Sequence, residues 1–249
     1  MKQSRSNKER VDVLVVKQGL AESREKAQAL ILSGKILNGD ELLDKPGHKI
    51  NEQITLRMRG EPDRFVSRGA FKLLGAIEKF EIDLKNQTCL DIGASTGGFT
   101  QVCLEAGAGK VYALDVGHNQ MHWKIRSDEK VKCIENVNIR EADSSIIPEK
   151  VDFVCIDTSF ISLKMVLPKA IQFMKEGAKL VALIKPQHEV GKNQVGKGGI
   201  VKDPELHAKV TQEITEFSQS IGLKACGLVE SSIMGTTGNK EFLIYCILT

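Results

Sequence analysis

From residue 88 to the end of the chain, short apolar runs alternate with longer segments in which apolar residues recur every three or four positions. Continuously apolar runs are typical of strands in a parallel sheet covered on both faces, and the longer amphipathic segments predict the covering helices. The alternation predicts a doubly wound, seven-stranded α/β domain. The predicted strands are Thr88–Ile92, Val111–Asp115, Val131–Glu135, Val151–Asp157, Lys179–Lys185, Leu223–Ser231 and Glu241–Leu248, and the predicted helices are Gly97–Ala106, Met121–Arg126, Ile161–Met174 and Pro204–Ile221.

The first sixty residues follow a different pattern. Residues 8–34 predict two short helices, each ending at a glycine. An Asn38-Gly39 turn predicts a small hairpin, and the alternation from Ile50 to Met58 predicts a further strand. A charged stretch with Pro and Gly then predicts a linker. The expected organisation is a small α+β domain over residues 1–59, a linker over 60–66 and the α/β domain over 67–249.

Composition excludes several classes of protein. The chain has no apolar run near the ~20 residues that a membrane-spanning helix needs, and its first residues are polar, unlike a signal peptide. The six cysteines form no Cys-x-x-Cys pair, and no His, Cys and carboxylate cluster has metal-ligand spacing. We therefore expect a cytoplasmic protein with reduced thiols, no metal site and no membrane partner. The sequence leaves the oligomeric state open.

The small net charge conceals an asymmetry along the chain. Residues 1–60 contain 12 Lys and Arg against 8 Asp and Glu, whereas the remainder contains 23 against 24. The basic excess therefore belongs to the small N-terminal domain. We expect a polyanion to dock there, although so modest an excess is also common on ordinary solvated surfaces.

A glycine-rich turn follows the first strand of the α/β domain. It starts at Asp91 and leads into a helix near Phe99, and its small residues let the backbone approach a ligand closely. Asp115 ends the next strand and can accept hydrogen bonds from both ribose hydroxyls of an adenosine group. Ser95 stands where a dinucleotide fingerprint needs glycine, so the spacing resembles the S-adenosylmethionine motif instead. The predicted cofactor-binding residues are Asp91, Gly93, Ser95, Thr96, Gly97, Gly98, Phe99 and Asp115, with Glu141 or Asp143 as the carboxylate that contacts adenine.

A second glycine-rich stretch, Gly191 to Gly198, nearly matches a phosphate-binding P-loop. It has Gly198 where a P-loop needs Ser or Thr for magnesium, and no helix follows it directly. We therefore expect a loop beside the ligand site, in which Lys192 and Lys197 contact phosphate groups of the expected polyanion.

Polar residues also stand at the ends of apolar segments. Asp157 and Lys185 terminate two predicted strands, and doubly wound sheets bind their ligands at the carboxyl ends of strands. Lys72 lies in a helical segment before the first strand, and Glu241 opens the last strand. Each residue also has an ordinary structural interpretation: a solvated lysine, a helix cap, a strand end or an edge charge. Spacing alone does not establish that the four side chains meet.

Five segments together resemble the TlyA family, whose members combine a small RNA-binding domain, named after ribosomal protein four of the small subunit, with an FtsJ-like, Rossmann-like methyltransferase. The matching segments are Ser67–Leu73, Asp91–Thr100, Asp157–Ser162, Lys185–Lys192 and Asn239–Glu241, and residues 23–39 match the small domain. The resemblance implies S-adenosylmethionine as the cofactor and methylation of a cytidine ribose 2′-hydroxyl in ribosomal RNA or ribosomal subunits. It implies Lys185 as the base, with Lys72, Asp157 and Glu241 orienting it, and it implies RNA contacts by Arg10, Arg24, Lys26, Lys35 and Arg68.

Two other classes of function stay open at this point. Members of the resembled family are often named haemolysins, so a membrane-active protein is one alternative, although the amphipathic or spanning segment that it needs is not visible. A non-catalytic RNA-binding protein is the other. The presence of Asp91, Asp115 and the four candidate catalytic residues disfavours it.

Overall fold

The computed structural model describes residues 8–39, 41–59, 64–235 and 237–249, without the side chains of Ser144 and Lys192. The chain divides into two compact units, one ending at Arg64 and the other beginning at Phe65. This division falls inside the predicted linker, of which residues 60–63 lie outside the described part.

The N-terminal unit packs two helices against short strands. Its helices are α1 (Val11–Lys17) and α2 (Arg24–Leu32), and Ser23 caps α2 by accepting a hydrogen bond from the Lys26 N–H. Strand β1 (Lys8–Arg10) pairs with β4 (Lys49–Asn51), while β2 (Ile36–Asn38) pairs with β3 (Glu41–Leu42) and β5 (Leu56–Met58). One apolar cluster joins the inner faces of both helices to these strands.

Two predictions for the N-terminal unit are wrong. Residues 8–10 form a strand and not the start of a helix, because they pair with β4. The stretch from Ile50 to Met58 is two strands in different sheets, because Asn51 ends the first in a turn by accepting the Gln53 N–H on its side chain. Gln18 then fixes the second strand by accepting the N–H of Leu56.

The C-terminal unit contains the predicted seven-stranded sheet, with strand order β11-β12-β10-β9-β6-β7-β8. Six strands run in the same direction, and β12 runs antiparallel to them between β10 and β11. The strands are β6 (Thr88–Ile92), β7 (Lys110–Leu114), β8 (Val131–Ile134), β9 (Val151–Ile156), β10 (Met174–Ile184), β11 (Leu223–Glu230) and β12 (Phe242–Leu248). The helices are α3 (Ala70–Lys79), α4 (Gly98–Glu105), α5 (Trp123–Arg126), α6 (Leu163–Ile171), α7 (Pro186–Glu189) and α8 (Pro204–Ser220).

Alternate residues of each central strand face opposite layers, which explains the continuously apolar runs. In β6, Leu90 packs in one core cluster and Cys89 in the other, and in β9 the same holds for Val154 and Cys155. The predicted helix 161–174 is too long, because Met174 already pairs with Val151 as the first residue of β10.

The strand order determines where in the sheet a ligand site is expected. From β6 the chain runs outward to β7 and β8 in one direction, and then returns to β9 and β10 on the other side of β6. The crevice between the carboxyl ends of β6 and β9 is therefore the point at which the topology switches, where sheets of this kind bind ligands.

Candidate active site

All four predicted catalytic side chains line one cavity of about 820 Å³ at the carboxyl edge of the sheet. Asp157 follows β9, Lys185 follows β10, Lys72 belongs to α3 and Glu241 precedes β12. We call this space the lysine cavity. Its geometry brings together residues that the sequence separates by up to 169 positions.

Lys72 and Glu241 form a buried ion pair. The Lys72 Nζ lies 2.6 Å from Glu241 Oε2, and the two side chains are 9% and 3% exposed. The Gln187 side-chain amide donates a longer hydrogen bond, 3.3 Å, to Glu241 Oε1. Because both charges are largely removed from water, each depends on the other for compensation.

Lys185 and Asp157 form the second pair. The Lys185 Nζ lies 2.7 Å from Asp157 Oδ1 and donates a hydrogen bond of 2.9 Å to Ser159 Oγ. The Asp157 contact is an ion pair whose angles fall outside hydrogen-bond geometry. The Lys185 side chain is 10% exposed and that of Asp157 is 21% exposed, so this pair faces the open part of the cavity more than the first pair does.

Asp115 is fixed by backbone groups of the turn after β6 and of its own loop after β7. Its two carboxylate oxygens accept the backbone N–H groups of Ser95 and Gly117, each at 2.7 Å. Asp115 lines a second cavity of about 530 Å³, which we call the Asp115 cavity. Both cavities are lined by Gly93, Ser95, Asp157, Ser159 and Phe160, so they adjoin along the end of β9.

The glycine turn is shaped chiefly by contacts within the protein. A Cβ atom on Gly93 would lie 2.5 Å from the Asp157 carbonyl oxygen, and one on Gly98 would lie 2.2 Å from Ser67 Oγ. Gly97 is buried against Ile125 and does not line either cavity. Thr96, Gly98 and Phe99 line the lysine cavity, on the side of Ser67 and Gly69.

We expect Gly93→Ala to disturb the site through Asp157. Gly93 has a φ of +87°, which alanine rarely adopts, and the added Cβ would push against the backbone of Asp157. The variant should lose about 1–3 kcal/mol of stability, and Lys185 should lose its fixed partner. Chemical denaturation and a methyl-transfer assay measure these effects separately. Unchanged stability together with unchanged activity would contradict this expectation.

Asp91, predicted to contact the cofactor, lies beneath the turn and lines neither cavity. Its carboxyl group is fully buried and accepts a hydrogen bond of 2.7 Å from the Thr100 hydroxyl. Asp91 thus joins β6 to the first turn of α4. The pKa of Asp91 is raised to about 7, chiefly by burial; the Thr100 hydroxyl opposes the shift, and the nearby Asp157 carboxylate adds to it.

The raised pKa of Asp91 predicts a pH-dependent stability. Between its ordinary pKa of 3.8 and about 7, the folded protein holds a proton that the unfolded chain releases, so stability falls as pH rises. The slope is at most about 1.4 kcal/mol per pH unit. Asp91→Asn should remove this contribution to the pH dependence. Urea unfolding of both proteins at several pH values between about 5 and 7 measures the difference in slope. His188, whose pKa is lowered by burial and by Lys185, contributes the opposite slope in both proteins and cancels in the comparison. Equal slopes would contradict the prediction.

Neither carboxylate predicted to contact adenine lines the Asp115 cavity. Asp143 instead accepts the Ser145 N–H, which lowers its pKa, and caps a short 3₁₀ helix, while Glu141 is exposed. The lining residues in this part of the chain are Val137, Asn138, Ile139 and Arg140. The chain turns at Asn138, whose side chain accepts the Arg140 N–H, before either acid is reached, and an adenine contact by Glu141 or Asp143 stays a prediction.

Phe160 was overlooked as a site residue. Its side chain is 93% exposed although it lines both cavities, and its φ of +62° is rare for an aromatic residue. The ring centroid lies 5.2 Å from that of His188, which lines the lysine cavity. A large aromatic residue three positions after a strand-terminal aspartate was the available signal in the sequence.

Most of the predicted RNA-binding residues of the N-terminal unit form ion pairs with carboxylate side chains. Arg10 and Arg24 both contact Asp12, at 2.9 and 3.0 Å, while keeping 40% and 57% of their side chains exposed. The Arg10 guanidinium is the main reason why the pKa of the buried Asp12 is lowered, and Gln28 and Arg24 add to it. Lys26 pairs with Glu22 on the surface, and Lys35 is half-buried before β2.

In the C-terminal unit, Arg68 is exposed and lines the lysine cavity, and Lys197 is exposed in the loop that follows α7. The side chain of Lys192 lies outside the described part of the chain. Within that part, no group of three or more His, Cys, Asp or Glu side chains is arranged to hold a metal ion. Among the described helices, none combines the length and the apolar character needed to cross a bilayer.

Comparison with known families gives two matches. The model of the FtsJ-like methyltransferase family matches residues 65–247, and that of the S4 domain matches residues 9–53. The 16S/23S rRNA (cytidine-2′-O)-methyltransferase TlyA of Mycobacterium tuberculosis is 42% identical over 95% of this chain and 88% of its own length. Hemolysin A of Brachyspira hyodysenteriae is 39% identical over 96% of this chain and 100% of its own length. A solved structure of a candidate hemolysin from Streptococcus thermophilus superposes with a TM-score of 0.76 at 44% identity, covering 98% of this chain and 90% of that one.

Proposed function

This chain belongs to the FtsJ-like methyltransferase family, and we propose that it methylates the ribose 2′-hydroxyl of a cytidine in ribosomal RNA, with S-adenosylmethionine as the methyl donor. The observation that carries the proposal is the presence of two Lys–carboxylate contacts in a cavity that adjoins the Asp115 cavity. The name of the mycobacterial relative supports the choice of ribosomal RNA and of cytidine.

The residues of the Asp115 cavity fit an adenosine group. Asp115 offers carboxylate oxygens for ribose hydroxyls, and the apolar side chains of Ile139 and Ile161 can pack on a flat base. The glycine turn, which lines both cavities, would hold the donor's amino-acid portion. When bound there, S-adenosylmethionine supplies a methyl group on a positively charged sulfur, so the leaving group needs no further activation.

Lys185 is the proposed base. A ribose hydroxyl is a weak nucleophile until its proton is removed, and the lone pair of the neutral lysine amine can accept that proton. As the proton arrives, positive charge develops on Nζ beside the Asp157 carboxylate and the Ser159 hydroxyl, which already contact this nitrogen. These fixed partners stabilise the developing ammonium without reorganising.

Lys72 and Glu241 have a second role in the proposal. Their opposite charges compensate each other in the cavity wall. Glu241 also accepts the hydrogen bond from Gln187, two residues after the base, and so helps to fix the turn that carries Lys185. We assign both residues to orienting the base.

The S4-matching unit is the proposed docking site for RNA. Arg10 and Arg24 each retain exposed guanidinium surface while Asp12 fixes their position, an arrangement suited to contacts with phosphate. We propose that Lys26 and Lys35 add to this surface, and that Arg68, Lys192 and Lys197 contact the RNA near the lysine cavity. Phosphate contacts of this kind predict binding that weakens steeply with salt.

Incubation of the full chain with methyl-labelled S-adenosylmethionine and ribosomal subunits that lack ribose methylation tests the proposal. We expect label on the 2′-oxygen of a cytidine, mapped by mass spectrometry of nuclease fragments, and no label with Asp157→Asn. Transfer to a base nitrogen or carbon, or no transfer to either subunit, would overturn it. If the wild type and Asp157→Asn both lyse red cells and neither transfers a methyl group to RNA, the activity named for the Brachyspira relative would be favoured instead.

A further inference from the structure

Asn239 is fully buried although nothing in the proposed chemistry uses it. Its Oδ1 accepts the Val201 N–H at 2.9 Å, and its Nδ2 donates to the Gly199 carbonyl and to the Thr237 hydroxyl, each at 2.9 Å. A buried amide with all of these bonds made is a rigid connection between segments distant in sequence.

The segments that Asn239 connects are both walls of the lysine cavity. Residues 195–201 form one of them, which we call the glycine–lysine loop, and Val195 and Gly199 line the cavity from it. Thr237 and Glu241 line the cavity from the segment that carries Asn239. Asn239 therefore ties the loop to a point two residues from the carboxylate that holds Lys72.

Among the described residues, the rest of the loop has few other anchors. Residues 196–199 are exposed, and Gly198 and Gly199 have φ values of +77° and +78°, with open space where a Cβ on either residue would lie. The second side-chain anchor is His207 of α8, whose Nε2 lies 2.8 Å from the Val201 carbonyl oxygen. The polar side chains that hold the end of the loop are thus Asn239 on one side and His207 on the other.

We propose that Asn239 is a positioning residue for the RNA substrate. It holds the glycine–lysine loop as a fixed wall of the cavity, so that Lys197 and the loop backbone contact the RNA and the loop does not have to become ordered on binding. This inference rests on the proposed function. Without the connection, the loop samples other conformations, and binding must restrict them at the expense of affinity. The effect falls on RNA binding and leaves the donor side of the site unchanged.

Asn239→Asp is the sharpest test. The aspartate keeps an oxygen that accepts the Val201 N–H, but the amide nitrogen that donates to the Gly199 carbonyl becomes an oxygen that repels it. We expect the KM for ribosomal subunits to rise by about tenfold and kcat to change by less than about twofold, with unchanged affinity for S-adenosylmethionine. Trypsin should cleave after Lys197 faster than in the wild type. Ser218→Ala is the matched control, because it removes a buried hydroxyl that donates to the Ile214 carbonyl and lines neither cavity; it should change none of these quantities.

A second variant tests the same inference independently, in case Asn239→Asp does not fold. His207→Leu removes the other anchor of Val201 and should raise KM and cleavage in the same direction by a smaller factor. Unchanged KM and unchanged cleavage in both variants would overturn the inference, as would equal losses in kcat and in donor affinity. If the wild type methylates no RNA, the proposed function fails, and the cleavage rates together with RNA binding in the absence of turnover still decide the role of Asn239.

Discussion

Replacement of Lys185 by methionine is expected to lower kcat for methyl transfer by about 10²–10⁴-fold, the contribution typical of a general base. Methionine has a similar length and leaves the cavity filled, but it has no lone pair that can take the hydroxyl proton. Single-turnover transfer from labelled S-adenosylmethionine, at saturating RNA, measures the chemical step separately from binding.

Two controls define this result. Lys224→Met removes an exposed lysine at the start of the edge strand β11, a residue that lines neither cavity, and should leave kcat unchanged. Affinity for S-adenosylmethionine should also be unchanged in Lys185→Met, because Lys185 does not line the Asp115 cavity. A Lys185→Met enzyme with kcat within about twofold of the wild type would remove the lysine from its assigned role.

Glu241→Gln is expected to destabilise the protein and to abolish activity together. The change leaves the Lys72 ammonium, 9% exposed, without its carboxylate, and removal of one partner of a buried ion pair typically lowers the free energy of unfolding by about 3–5 kcal/mol. Urea denaturation measures that loss. Methyl transfer should fall because both the ion pair and the Gln187 contact are disturbed.

The double variant Lys72→Met/Glu241→Gln separates the two effects. Without the ammonium no charge is left unpaired, so stability should return to within about 1–2 kcal/mol of the wild type. Activity should not return, because the charges that orient the base are gone. A single variant as stable as the wild type, or a double variant that regains transfer, would show that this pair does not have the role assigned to it.

Much of the fold was accessible from the sequence because it depends on local patterns. Each of the seven sheet strands forms close to its predicted position, since a continuously apolar run is buried on both sides only in a sheet that helices cover on both faces. The family and the RNA-binding unit were likewise identified from short motifs. The prediction of one strand from Ile50 to Met58 failed where a single side chain, Asn51, introduced a turn.

Some residues of the candidate site could likewise be placed from local patterns in the sequence, and others could not. Strand-terminal positions predicted that Asp115, Asp157 and Lys185 would stand at one edge of the sheet, because parallel strands end at a common edge. The same reasoning did not show that Asp91 supports α4 from beneath the turn, and it left Glu141 and Asp143 as alternatives, neither of which lines the Asp115 cavity. Distance along the chain does not specify which way a side chain points.

The sequence by itself determined the elements, their layer and the type of chemistry, because hydrophobic period and strand-end position are local properties. Only the tertiary structure decided that Lys72 meets Glu241 across 169 residues and that Asn239 ties one cavity wall to the other. Those contacts depend on the order and register of β9, β10 and β12. Strand order and register result from the packing of the whole domain, which no single segment encodes.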